Sequence, residues 1–145
     1  PSPACCRLLP MPTFPPMPRQ ILIVDDDAVS RMALAGLLER LPDVDIVEAD
    51  DGEVAWNLFQ KGLRPALCCT DIRMPGLDGL GLLQRIRAHP DLANLPIVMI
   101  TGDADRASLQ QALAQRADGY IIKPFTGPDT RAAVERLLRR GDAAA

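Results

Sequence analysis

Four places in the 145-residue chain hold side chains able to do chemistry together. Asp25-Asp26-Asp27 follows the apolar run Ile21-Leu22-Ile23-Val24, Asp71 follows Ala66–Thr70, Thr101 follows Ile97–Ile100, and Lys123-Pro124 follows Gly119–Ile122. Several carboxylates brought within a few ångströms of one another repel, and protonation or a cation must relieve them. Mg²⁺ suits such a cluster, because it takes hard oxygens, uses few protein carboxylates and keeps waters free for phosphate oxygens. Asp71, alone after its run, could serve as a nucleophile toward phosphorus. Phosphoryl transfer is chiefly positioning plus charge neutralisation, so a metal and an ammonium should bracket the transferring group. Lys123 supplies the ammonium, and the Thr101 hydroxyl can donate to a phosphoryl oxygen.

These positions work together only if the intervening segments bring them to one edge. Each apolar run is four to six residues long, as a strand buried on both faces should be. Between the runs the period changes. Leu34, Leu37, Leu38 and Leu41 repeat as a helical stripe that Pro42-Asp43 ends. Val44–Ala49 reads as a second strand, and Asp51-Gly52 turns into a helix carrying Val54, Leu58 and Phe59. Further helices present Leu82, Leu83 and Ile86, then Leu109, Ala112 and Leu113, then Val134, Leu137 and Leu138. Thr126 is the expected N-cap of the last, with Pro128 in its first turn. Five βα units in series predict a parallel sheet with helices on both faces and right-handed crossovers. In such sheets ligands bind beyond the carboxyl ends of the strands, near the point where strand order switches. All four chemical positions fall there.

The totals agree with a single α/β domain. About 48% of residues are apolar, which is enough for an ordinary core. A net charge of −3 argues against a general nucleic-acid-binding surface, and no helix is left over for reading DNA. No apolar run approaches the roughly 18 residues of a membrane span, and a cytoplasmic location is expected. Residues 1–18 hold seven of the fourteen prolines and read as an extended tail; the domain is expected over 19–141, with a short tail at 142–145. Met17 is a candidate natural start. Cys5-Cys6 and Cys68-Cys69 lack metal or redox spacing. The second pair should be packing thiols on opposite faces of a strand, in a reducing compartment.

Four segments together resemble the receiver domain of bacterial two-component response regulators, of the chemotaxis-regulator kind: Ile21–Asp26, Thr70–Gly79, Ile97–Gly102 and Tyr120–Phe125. Lys123 follows Thr101 by 22 positions, the family's usual spacing. The resemblance implies a flavodoxin-like (βα)5 fold with strand order 2-1-3-4-5. Asp71 would be the phospho-acceptor. Asp26, Asp71 and the Arg73 backbone carbonyl would hold Mg²⁺ directly, with Mn²⁺ as a substitute, and Asp25 would hold it through water. Thr101 and Tyr120 look like the switch pair, Lys123 the phosphate-binding lysine, and its bond to Pro124 is expected to be cis. Arg73 and Asp103, at positions that vary across receivers, would tune the lifetime of the phosphorylated state. Arg116 stands where many receivers carry a small residue, which should alter a helix end.

The implied partners are a histidine kinase or histidine phosphotransfer protein and a downstream protein or output domain, without direct contact to nucleic acid or membrane. The donor is expected over the first helix near Asp27, Ala28 and Arg31 and the loop after Pro124. Output, or a dimer, would use the face of the fourth helix, fifth strand and fifth helix. Such a domain is not an enzyme beyond its own phosphorylation and slow dephosphorylation. The chain would be a stand-alone module or a receiver cut from a longer regulator or hybrid kinase. A competing reading is a phosphatase of the haloacid dehalogenase type, in which Asp25-x-Asp27 would supply the nucleophile. Asp27 as a plain helix cap, and His89 as an ordinary surface histidine, are the bland readings of those residues.

Overall fold

Short aliphatic runs with no polar face form stable strands only when both sides of the sheet are covered. The computed structural model, which describes residues 18–102, 106–124 and 127–144, has that arrangement. Five strands, β1 (Arg19–Val24), β2 (Val44–Ala49), β3 (Leu67–Asp71), β4 (Ile97–Thr101) and β5 (Gly119–Ile122), alternate with five helices. The helices are α1 (Ala28–Leu38), α2 (Gly52–Gln60), α3 (Gly79–Ala88), α4 (Arg106–Ala114) and α5 (Gly127–Ala144). The strands are parallel, in the expected order β2-β1-β3-β4-β5.

Strand alternation divides the core. Leu22, Val24, Cys68, Ile97 and Met99 face α2, α3 and α4, where they meet Phe59, Leu82, Leu83, Ile86 and Ala112. Their neighbours Ile21, Ile23, Cys69, Val98 and Ile100 face α1 and α5, against Leu34, Leu38, Val134, Leu137 and Leu138. Each fully buried aliphatic side chain contributes about 1.5–3 kcal/mol. Burial pushes both core thiols up, that of Cys69 to about 12, so both stay protonated near neutrality as packing groups.

Three details differ from the sequence reading. Leu113 belongs to the apolar stripe by spacing, yet it is exposed, because Ala112 takes the inward position on α4. β1 begins at Arg19 rather than Ile21, since Arg19 and Gln20 still pair with Val44 and Asp45. α5 continues to Ala144, past the boundary drawn at 141; alanine is the strongest helix former and carries the helix beyond Gly141. Cys5, Cys6, Met17, Asp103, Phe125 and Thr126 lie outside the described residues, so the cap expected at Thr126 and the tuning position Asp103 have no structural account.

At the amino edge of the sheet, Arg87 from α3 forms a clamp. Its guanidinium donates to the carbonyls of Ala93 (3.1 Å), Leu95 (2.7 Å) and Arg116 (2.8 Å) and pairs with Asp118 at 2.9 Å. Asp118 also accepts from the Ile97 amide at 2.8 Å, which ties the starts of β4 and β5 together. Arg116 ends α4 at φ 70°, a left-handed conformation that costs a non-glycine residue about 1 kcal/mol. Arg87 holds this helix end through the Arg116 carbonyl.

Gly79 sets the other edge. Its amide donates to the Ile72 carbonyl at 2.9 Å, which lets α3 start directly against the end of β3. A Cβ there would clash with the Asp71 carbonyl oxygen and lie 2.9 Å from Ile72 Cα. Gly79→Ala is therefore expected to destabilise the fold by about 1–3 kcal/mol, the range for forced overpacking. Urea denaturation checks this; an unchanged midpoint would show that the close approach is not required.

Candidate functional site

Register aligns the strand ends. Val24 pairs with Thr70, Asp71 with Ile100 and Thr101 with Ile122, so Asp25, Asp71, Thr101 and Lys123 stand along one edge. Backbone bonds carry the ladder past the strands: Asp25 N to Ala49 O (3.1 Å), Ile72 N to Ile100 O (3.1 Å) and Lys123 N to Thr101 O (2.9 Å). The order reverses between β1 and β3, and the acids sit at that reversal.

Carboxylate oxygens of Asp25, Asp26 and Asp71 lie within 4.8 Å of one another. Asp25 is buried, Asp71 half-buried and Asp26 exposed. The Lys123 ammonium reaches from β5 to Asp71 Oδ2 at 3.0 Å and Asp25 Oδ2 at 3.4 Å. Three carboxylates thus face one lysine. This all-oxygen set, in excess of its counter-charge, suits a hard divalent cation rather than one that seeks nitrogen or sulfur. Burial is the main reason the Asp25 carboxyl is raised above its ordinary range, and the charge of Asp71 adds to it; the Asp27 amide and Lys123 pull the other way. Burial would pull Lys123 down, but the hydrogen bond and charge of Asp71, with Asp25 behind it, outweigh that and raise it.

Asp27 does not join the cluster. It caps α1, accepting from Val29 N at 3.1 Å and from the Ser30 hydroxyl at 2.9 Å, and these bonds lower its pKa. An Asp25-x-Asp27 nucleophile pair would need that carboxylate free to face the cluster. The Thr101 side chain is buried, and its hydroxyl donates to the Gly102 carbonyl at 2.9 Å. Tyr120 is 50% exposed, and a cavity of about 280 Å³ lies between it and Thr101, walled by Leu109, Leu113 and Ile122. The Arg73 amide donates to Asp71 Oδ1 at 3.3 Å. The Lys123–Pro124 peptide is cis, as the resemblance implies. His89 ends α3, with Nδ1 accepting from Asp91 N at 3.1 Å and its ring edge-on to Trp56, far from any such cluster in sequence and fold.

Two residues at the site carry more than the sequence reading gave them. Gly79 allows α3 to approach Asp71; its signal was the Asp78-Gly79 pair, read only as part of a motif. Arg31 turns inward, with its side chain 18% exposed. It donates to the Asp25 carbonyl at 2.7 Å. The large exposed apolar residues of that helix are Val29 and Met32.

Comparison with known proteins agrees with this geometry. The family model for the response regulator receiver domain matches residues 21–135, and the chain belongs to that family. Among its relatives is the chemotaxis protein CheY-3 of Vibrio cholerae, 38% identical over 83% of this chain and 92% of that protein. The solved receiver domain of a signal transduction histidine kinase from Syntrophus aciditrophicus is 30% identical, with a TM-score of 0.75 over 83% of this chain and 90% of that one. NtrX from Brucella abortus gives a TM-score of 0.79 at 31% identity over 88% of this chain, but only 29% of that one. The flavodoxin-like receiver fold follows from these likenesses and from the strand order. Among the described residues, no helix is long and apolar enough to cross a membrane.

The raised pKa of Asp25 has a consequence for stability. The folded chain binds that proton more tightly than the unfolded chain, so the associated stability is present below the ordinary value of 3.8 and is lost as pH rises through the folded value. At neutral pH and with divalent ions chelated, Asp25→Asn should therefore raise the melting midpoint by a few degrees, the response to about 1 kcal/mol in a domain of this size. The gain should fade as pH falls toward 3.8. A melt series at both pH values checks it, and a lower midpoint at neutrality would contradict the assignment.

Proposed function

We propose that the chain is a two-component signalling receiver that takes a phosphoryl group onto Asp71 from a phosphohistidine. The observation that carries this reading is the Lys123 ammonium 3.0 Å from Asp71 Oδ2 beside three clustered carboxylates. Asp26, Asp71 and the Arg73 carbonyl, with Asp25 through water, would hold Mg²⁺, or Mn²⁺ in its place, which neutralises charge on the transferring group. In the transfer, an Asp71 carboxylate oxygen bonds to phosphorus, the P–N bond breaks, and the donor imidazole leaves with the electron pair. Lys123 then pairs with a phosphoryl oxygen. Thr101 gives up its bond to Gly102 and donates to the new group, and Tyr120 turns into the cavity beside it. Phosphorylation shifts the population only as far as this second arrangement binds the phosphoryl group more favourably.

The donor is a histidine kinase or histidine phosphotransfer protein. Val29 and Met32, exposed on α1 beside the acids, offer it an apolar contact. The output is a downstream protein or a linked domain reached through α4, β5 and α5, a face that also suits a dimer. We place the receiver over residues 19–141, with α5 running beyond it, in the cytoplasm. Apart from its own phosphorylation and slow dephosphorylation it catalyses nothing. Its relatives include both CheY-3, which the chain nearly spans, and the much longer NtrX, so a stand-alone module and a part of a longer regulator both fit the family.

Acetyl phosphate with Mg²⁺ should add roughly 80 Da to the intact mass, the weight of one phosphoryl group. Asp71→Asn should abolish the gain; a gain that survives it would refute the acceptor. Arg73 and Asp103 are proposed to shield the phosphoryl group from water. Replacing either by alanine should change the autodephosphorylation rate by more than about twofold, which is about 0.4 kcal/mol in barrier; rates within that limit in both variants would end the shielding proposal.

A further inference from the structure

We infer that Arg31 is a positioning residue for the acidic cluster, holding the backbone between Asp25 and Asp26 so that both carboxylates face a divalent cation. The inference rests on reading Asp25, Asp26 and Asp71 as a cation site.

Arg31 lies on α1, six residues after Asp25. Its Nη1 donates to the Asp25 carbonyl at 2.7 Å, and its Nε donates to Glu48 Oε1 at 3.2 Å. Glu48 lies on β2 opposite Ile23 of β1, so one guanidinium ties together helix, strand exit and neighbouring strand. The bond to Asp25 is the shorter and better buried of the two; Glu48 is 43% exposed, and solvent weakens that pair. The peptide unit is planar, so fixing the Asp25 oxygen also fixes the plane that carries the Asp26 Cα. The Asp25 side chain is held separately, by the Asp27 amide at 2.9 Å and Lys123 at 3.4 Å. Asp26 is exposed, and the Cα from which its side chain projects is set by the backbone that Arg31 pins.

A nearby positive charge and a positioning bond predict opposite signs. If Arg31 acted only as a charge, its removal would strengthen cation binding, because the cluster would become more negative. If it acts by position, removal weakens binding, and partners that orient metal ligands typically cost about 10-fold or more when lost. Mn²⁺ binding to the full chain, measured by electron paramagnetic resonance, separates the two. Arg31→Met should bind Mn²⁺ about 10-fold more weakly than the unaltered chain; equal or tighter binding would overturn the inference. If Arg31→Met does not melt cooperatively, Arg31→Lys decides. Lysine keeps the charge but cannot hold the carbonyl and Glu48 through a fixed fork, so about threefold weaker binding is expected, and unchanged binding would overturn the inference. Failure of the unaltered chain to bind Mn²⁺ would overturn the cation-site reading and this inference with it, and is distinguishable because no variant is needed to see it.

Discussion

The ammonium of Lys123, reaching from β5 to acids that follow β1 and β3, is the interaction on which the rest of this site depends. Parallel strands that end in aspartates concentrate negative charge at one edge, and the fold cannot leave it uncompensated. One lysine offsets part of it. The remainder stays available for a cation and, in the proposed reaction, for rearrangement when the acceptor becomes more negative. In the proposed reaction, function and electrostatic frustration would occupy the same place; the raised pKa of Asp25 comes chiefly from its burial, with the charge of Asp71 adding to it.

The sheet makes the arrangement rigid from both edges. At the carboxyl edge, Gly79 lets α3 begin against Asp71, and Arg31 anchors the chain as it leaves β1. At the amino edge, the Arg87–Asp118 pair fixes β4 against β5 and holds the left-handed end of α4. Lys123 and Thr101 are thereby set in register from a point remote from the chemistry. At the carboxyl edge there are also a threonine bonded to the adjacent carbonyl, a half-exposed tyrosine and a cavity between them. A rigid frame with one adjustable corner suits a switch, since a phosphoryl group need only alter contacts there.

Much of this was legible in the chain itself. Aliphatic runs without a polar face leave little choice but buried parallel strands, and the position after each run gives the residues that cluster at the carboxyl edge. Asp27 as a cap was legible too, because an acid before Val29 and Ser30 has backbone amides to satisfy. What escaped notice depends on tertiary geometry. Arg31 looked like a surface residue because helical spacing does not say whether a long side chain folds back. Leu113 fits the apolar stripe by spacing, but in α4 it is Ala112 that is fully buried, with Leu109 partly so. Residues 142–144, expected as part of a short tail, are helical because alanine is the strongest helix former.

Aspartyl phosphate can be located chemically, and that is the most direct test of the account. After treatment with acetyl phosphate and Mg²⁺, borohydride reduces the acyl phosphate to an alcohol and leaves homoserine in place of the acceptor aspartate. Peptide mass mapping should find that conversion at Asp71. Conversion at Asp25 or Asp26 instead, or none under conditions where the chain is folded, would contradict the claim that the carboxyl edge of this sheet is built to phosphorylate Asp71.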